Sequence, residues 1–383
     1  MKRNFLFSCC IGLLSLCSCE SNNVESRIVD VDIQACESKS SSFMDEYSGV
    51  EVIPLENQQQ CMISRAKKMV TTQKGFTIFD YGNNPIIYQF DKQGQYLGKV
   101  GDYGHGRGEY QQVFDIAASS DGSTVVVSSW KELLMYVNRK FVKSENGLEG
   151  GFLKSIQATE DGYVCESPYS SKDYLLHFYD KDLKLQSEMI ETGGNSIGTP
   201  PSIFQSMVIE KGILYYCNYF ESSFNVIDLK KQVIKKYCMH TDNMISVEKA
   251  MDRQANEDKY EDVCFDEFMN FHVKDGVIKG QFIQKGHGKK FELNTKTDSF
   301  YIIENSEWRP IIYDAHDGYD YTVISQTEFL DIINPPSMDD MARWAMAPKL
   351  SEEAKEMFKE AYANLGKEIT EDNNFVILKL KKK

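Results

Sequence analysis

Between about residue 50 and residue 335 the chain alternates short runs rich in Val, Ile, Tyr and Phe with pairs of turn residues. Gly75-Phe76-Thr77-Ile78-Phe79, Ser123-Thr124-Val125-Val126-Val127, Gly162-Tyr163-Val164-Cys165, Gly212-Ile213-Leu214-Tyr215-Tyr216 and Gly276-Val277-Ile278-Lys279-Gly280 each follow such a pair, for example Gln73-Lys74 or Glu160-Asp161. Apolar runs of this length, entered through glycine, predict β-hairpins. A second strand type follows the first, as in Ile86-Ile87-Tyr88-Gln89-Phe90-Asp91 and Leu175-Leu176-His177-Phe178-Tyr179-Asp180. The glycines recur every 40 to 60 residues or so, the pitch of one four-stranded propeller blade with its loops.

Counting a last blade through Trp308–Ile312 and Tyr319–Ser325 gives six. The fold class expected is therefore all-β, a six-bladed β-propeller. The early run Val50–Leu55 and the late run Phe375–Leu380 stand at opposite ends of the chain, and one or both can complete the final blade and close the ring. Two segments break the pattern and read as helical insertions, 243–264 and 336–367. The second is the clearer: Ser351 caps, Glu352 and Glu353 occupy the positive first turn, and Gly366 stops it. Its apolar positions Ala354, Met357, Phe358, Ala361, Tyr362 and Leu365 share one face.

Composition adds an address. Lys2 and Arg3 precede the short apolar run Phe5–Leu16, and Leu16-Cys17-Ser18-Cys19 follows where a signal peptidase cuts. Residues 1–18 are expected to be a lipoprotein signal peptide, 19–45 a lipidated Cys19 with its tether, and 46–383 the propeller. Acyl chains on Cys19 give a membrane anchor, each buried methylene contributing about 0.8 kcal/mol. Lys plus Arg number 43 against 57 Asp plus Glu, a formal charge of −14, with no basic cluster before Lys381–Lys383. Nucleic acid is excluded as a partner on that ground. The cysteines beyond Cys19 are scattered without CxxC spacing, which favours buried thiols over a disulfide framework.

Val52-Ile53-Pro54-Leu55-Glu56, Tyr88-Gln89-Phe90-Asp91-Lys92-Gln93-Gly94-Gln95-Tyr96-Leu97-Gly98-Lys99-Val100-Gly101 and Gly104-His105-Gly106-Arg107-Gly108-Glu109-Tyr110 closely resemble the six-bladed β-propeller lipoproteins of gut Gram-negative anaerobes. That family is similar to NHL-repeat propellers, in which a glycine-rich phrase ending Gly-Glu-Phe or Gly-Glu-Tyr joins one blade to the next. Arg107 stands where the phrase often has proline. The resemblance implies fold and compartment, an outer-membrane lipoprotein of the envelope, and carries no generally assigned reaction.

Local motifs for chemistry are thin. In Gly104-x-Gly106-x-Gly108 the third glycine of a dinucleotide loop is replaced by Glu109, and the strand-like Val113–Ile116 follows in place of a helix. Gly194-Asn195-Ser196-Ile197-Gly198 matches a nucleophile elbow, but Pro200 and Pro201 follow it. The six histidines show no metal-ligand spacing, though His105, His272 and His316 remain able to converge across blades. Asp91, Asp180 and Asp228 recur at equivalent places and read as turn caps. Trp130, Trp308 and Trp344, with Tyr81 and Tyr169, are candidate sugar platforms.

The expected function is a lipid-anchored, non-enzymatic module at the cell envelope, without a cofactor, that binds a small molecule, glycan or protein. Its candidate ligand contacts are His105, Arg107, Glu109, Tyr110 and Trp130. A propeller lyase or hydrolase with a metal or acid pair assembled across blades is one alternative, and a scaffold subunit of an envelope complex another.

Overall fold

The computed structural model describes residues 27–130, 132–147, 153–167, 174–191, 205–218, 222–230, 233–240, 267–284, 287–304 and 307–383. Five four-stranded antiparallel meanders follow one another. Blade 1 runs from axis to rim through Ala66–Thr72, Gly75–Tyr81, Pro85–Asp91 and Tyr96–Lys99, and blade 2 through Val113–Ala118, Thr124–Ser129, Glu132–Val137 and Lys140–Asn146. Blade 3 comprises Ser155–Ala158, Gly162–Glu166, Tyr174–Asp180 and Leu185–Glu191; blade 4, Met207–Glu210, Ile213–Asn218, Ser223–Asp228 and Val233–His240; blade 5, Glu267–Lys274, Val277–Gln284, His287–Asn294 and Ser299–Ile303.

Blade 6 is composite. Asp314–His316 and Tyr319–Ile324 supply its inner half, Val376–Lys382 its third strand, and Tyr47–Pro54 its outer strand. Both ends of the chain thus close the ring, with Val376 opposite Pro54 and Leu380 opposite Val50. Each innermost strand lies against its two neighbours, and blade 6 meets blade 1 again. The architecture is the expected six-bladed propeller. Its cores lie between adjacent blades, for example Phe79, Ile87, Tyr110, Val113, Val125 and Tyr136 between blades 1 and 2. Cys61 and Cys165 are buried free thiols, and Cys217 is buried as well.

The segment before residue 46 departs from expectation, since from Arg27 onward it is part of the body and not a tether. Arg27–Asp32 adds a fifth strand to blade 4, parallel to Val233–His240, and Glu37–Lys39 adds one to blade 5, parallel to Ser299–Ile303. The reason is the alternation of Val29, Val31 and Ile33, which turns three apolar side chains onto one core. Continuing into Tyr47–Pro54, the N-terminal segment girdles the rims of blades 4, 5 and 6 in order. It is a belt of three strands.

Because strands in a blade are consecutive and antiparallel, the hairpins joining first to second and third to fourth strands share one end of the ring, the turn face. The remaining hairpins and the links between blades share the other, the link face. Asp91 and Asp180 cap third-to-fourth turns as expected: Asp91 Oδ1 accepts from Gln93 N and Gln95 N, both at 2.9 Å, and Asp180 Oδ1 from Asp182 N at 2.8 Å and Lys184 N at 2.9 Å.

Helices enter between the second and third strands of blade 6, on the link face: Gln326–Ile333, Met341–Met346 and Glu352–Ala363. The insertion begins ten residues earlier than the 336 expected, and Trp308–Ile312 is not a strand of the last blade. Trp308 is instead a core residue of this helical cap, its ring centroid 6.2 Å from that of Phe358 and its indole N–H donating to Glu328 at 2.9 Å. Ser351 does cap Glu352–Ala363, its Oγ accepting from Ala354 N at 3.3 Å. The other expected insertion, 243–264, lies outside the described residues. Among the described residues, no helix is long and apolar enough to cross a membrane.

Candidate functional site

Each inner strand begins at the link face, so the first residues of these strands ring an axial mouth. Two aspartates of the inner strands fasten one blade to the next, Asp115 at the mouth and Asp314 farther along the axis toward the turn face. Asp115 of blade 2 accepts from Ile156 N of blade 3 and from its own neighbour Ile116 N, both at 2.8 Å, and pairs with Lys68 of blade 1 at 2.8 Å. Asp314 of blade 6 repeats the device, accepting from Thr71 N of blade 1 at 2.7 Å and Ala315 N at 2.8 Å. Burial pushes the Asp314 carboxyl up despite these bonds. Parallel inner strands leave edge N–H groups without a ladder, and the two carboxylates satisfy some of them.

One step along the strand from Lys68, Lys67 is turned to a different environment. Its ammonium donates to the Phe114 carbonyl oxygen at 3.0 Å and lies 4.9 Å from the Tyr81 ring centroid and 5.5 Å from that of Phe79. Phe114 in turn packs on Trp130, with centroids 6.1 Å apart and planes at 34°. Tyr81, Lys67, Phe114 and Trp130 thereby form one continuous strip across blades 1 and 2. Tyr81 is 48% exposed and Trp130 50%. Burial pulls the Lys67 ammonium below its ordinary pKa, and Lys154, Lys68 and Arg65 act in the same direction against Asp115. Beneath the strip, Ser155, Gln157, Gln205 and Tyr313 line a small polar cavity of about 10 Å³, continued on the axis by one of about 80 Å³.

The sequence-predicted ligand residues divide. Trp130 stands in the strip. His105, Arg107, Glu109 and Tyr110 belong to a loop packed on the rim of blade 2, where Gly108 has φ +77° and a Cβ on it meets Phe141 Cγ at 2.3 Å. His105 and Arg107 are exposed there. Glu109 closes the loop, Oε2 accepting from Gly106 N at 2.8 Å. Tyr110 is a correction: it is 1% exposed, buried between blades by its aromatic area, and its hydroxyl donates to the Val100 carbonyl oxygen at 3.1 Å, so no ligand reaches it. Cys19, Tyr169 and Gly194–Gly198 lie outside the described residues.

The histidines do not converge. His105 faces Gln111, His316 stacks on Tyr321 at 4.8 Å, and His272, pushed down by burial, is surrounded by Asp320, Glu46, Lys382 and Lys279. Among the described residues no three His, Cys, Asp or Glu side chains are placed to hold a metal ion. Sequence reasoning passed over Lys67 and Lys68. The available signal was a charged pair opening an otherwise apolar inner strand, Ala66–Thr72.

A roomier depression, about 910 Å³, opens on the turn face between blades 3 and 4, walled by Tyr163, Phe178, Met189, Ile209 and Ile227. Its charged rim is already engaged: Lys230 pairs with Glu160 at 3.2 Å, and Asp180 caps its turn. Thr159, Asp161, Gln186 and Ser187 add polar groups to its lining. The mouth sets a partly desolvated cation beside two half-exposed aromatic rings, and we take it as the candidate site.

Among solved structures the chain is similar to a protein of Bacteroides fragilis NCTC 9343 described as exported, with a TM-score of 0.66 at 13% identity over 93% of this chain and 99% of that one. A member of the DUF4221 family from Bacteroides vulgatus is more distant, with a TM-score of 0.39 at 12% identity over 73% of this chain and 82% of that one. The first likeness shows the propeller fold. No protein of curated function matches the chain. A single family model spans residues 27–381, from the first belt strand to the closing strand of blade 6, and by that match the chain belongs to the domain of unknown function family DUF4934.

Proposed function

We propose that this protein is a non-enzymatic binding module of the cell envelope, held to the membrane by a lipid on Cys19, that receives its ligand across the axial mouth. The observation that carries the reading is the unbroken strip Tyr81, Lys67, Phe114 and Trp130 at the point where the inner strands begin. Half-exposed aromatics beside a partly desolvated cation form a platform for a ligand with a flat apolar face. Support for the address comes from the cysteine that follows Leu16-Cys17-Ser18 and from the fold shared with a protein described as exported. A binding role is favoured over hydrolysis because Asp115 at the mouth and Asp314 farther along the axis, two of the inner-strand carboxylates, each hold two backbone N–H groups. Neither is placed as a free acid or base.

Truncating Tyr81→Ala or Trp130→Ala is expected to weaken ligand binding about tenfold each, the scale of one stacking contact with its buried area. Calorimetry against a glycan and peptide panel reads this. Binding unaffected by both variants but lost on Met189→Glu moves the site to the depression between blades 3 and 4. Membrane fractionation of Cys19→Ala tests the anchor, and a variant that stays with the membrane refutes it.

A further inference from the structure

The mouth is locally cationic on a chain whose formal charge is −14. Arg65, Lys67, Lys68 and Lys154 gather where blades 1, 2 and 3 begin, with Asp115 as a counter-charge acting on Lys67. Clustering like charges costs free energy unless something offsets it. Lys68 has Asp115 at 2.8 Å and the Ile156 carbonyl oxygen at 2.9 Å. The hydrogen bond of Lys67 goes to a neutral carbonyl oxygen, and its other neighbours are ring faces.

Resting on the reading of the mouth given above, we propose that its ligand is a sugar chain bearing carboxylate or sulfate groups. The acid pairs with the Lys67 ammonium, and Tyr81 and Trp130 lie against the faces of neighbouring sugar rings. Three features favour a sugar over an acidic peptide. The inner-strand edge at the mouth is already fastened where Ile156 N donates to Asp115, so a peptide finds no free N–H there to extend as a strand. The cavity beneath, about 10 Å³, is too small for an anchoring side chain. Its lining sets Ser155, Gln157 and Gln205 beside Lys67, Lys68 and Asp115, and amide and hydroxyl groups are ones that pair with sugar hydroxyls. The depressed Lys67 pKa is consistent with this, since pairing with an acid reverses it, and affinity should fall on the alkaline side earlier than for an ordinary lysine.

The test is titration calorimetry of the chain from residue 20 onward with tetragalacturonate, chondroitin sulfate hexasaccharide, methyl-esterified tetragalacturonate and hexaglutamate, at low and high salt. Wild type is expected to bind an acidic sugar about tenfold more tightly than the ester, with the gap narrowing as salt screens the pair. Lys67→Gln removes that gap, Lys67→Arg keeps it, and Trp130→Ala weakens acid and ester alike. Equal affinity for acid and ester, or a gap that survives Lys67→Gln, overturns the acidic class while leaving the mouth in place. Trp130→Ala and Lys67→Gln both binding like wild type overturns the mouth as well. Hexaglutamate bound more tightly than every sugar, or no acidic sugar bound at all, overturns the sugar assignment. Thermal melting of each variant separates lost contacts from lost fold.

Discussion

Glu46 is buried between two cations, with Lys279 Nζ at 2.9 Å and the Arg309 guanidinium on the same oxygen. Burial alone would raise its pKa, but Lys279 and Arg309 outweigh that and hold it down to about 2, against an ordinary 4.5. A carboxyl depressed on folding contributes stability that is complete above about pH 4.5 and disappears as pH falls toward 2. Acid denaturation should therefore begin in that window. Glu46→Gln is expected to lower stability at neutral pH and flatten the acid limb, as read by urea unfolding at several pH values; an unchanged acid limb counts against the role. Nothing local in the sequence announces this residue, because its partners lie 233 and 263 positions away. Asp91 and Asp180 were legible for the opposite reason, since they bond backbone N–H groups two and four residues on. Lys67 stands between the two cases: Arg65 and Lys68 are its sequence neighbours, but only the packing of the blades brings Lys154, Phe114 and Asp115 to it.

Among elements, Glu352–Ala363 was readable because its cap, its acidic first turn and its apolar face all lie within one short window. The helix Gln326–Ile333 was not. Its Phe329, Leu330, Ile332 and Ile333 follow Tyr319–Ile324 with Ser325 alone between, and the two read as one strand-rich stretch until Ser325 Oγ is seen accepting from Glu328 N at 3.1 Å. The cap depends on a shared aromatic core in which Phe358 sits 5.5 Å from Phe43 and 6.2 Å from Trp308. Phe358→Ala should cost about 3 to 5 kcal/mol, the range for a fully buried ring. Chemical denaturation measures it; a loss under about 1 kcal/mol means that the cap is not coupled to the propeller.

For the whole molecule, the repeat pitch and the pairing of both chain ends in blade 6 were legible because each blade carries its own copy of the hairpin pattern. The belt strands on blades 4 and 5 were not, being short and paired with strands far downstream. Deleting residues 27–46 uncovers the rims of blades 4 and 5 and removes Glu46 together with Phe43. The expected result is a lower melting temperature with aggregation through the bared edges, followed by calorimetry and light scattering. A monomeric deletion variant with wild-type melting shows the belt to be dispensable. The belt also sets an order in time. Blades 1 to 3 pair only neighbouring segments and are free to form as they emerge, whereas Arg27–Asp32 leaves the ribosome first and waits for Val233–His240, and Tyr47–Pro54 waits for Val376–Lys382 at the very end. Until Val376–Lys382 appears, Tyr47–Pro54 has no partner strand and the ring stays open, an arc whose seam is joined by two segments made more than 300 residues apart.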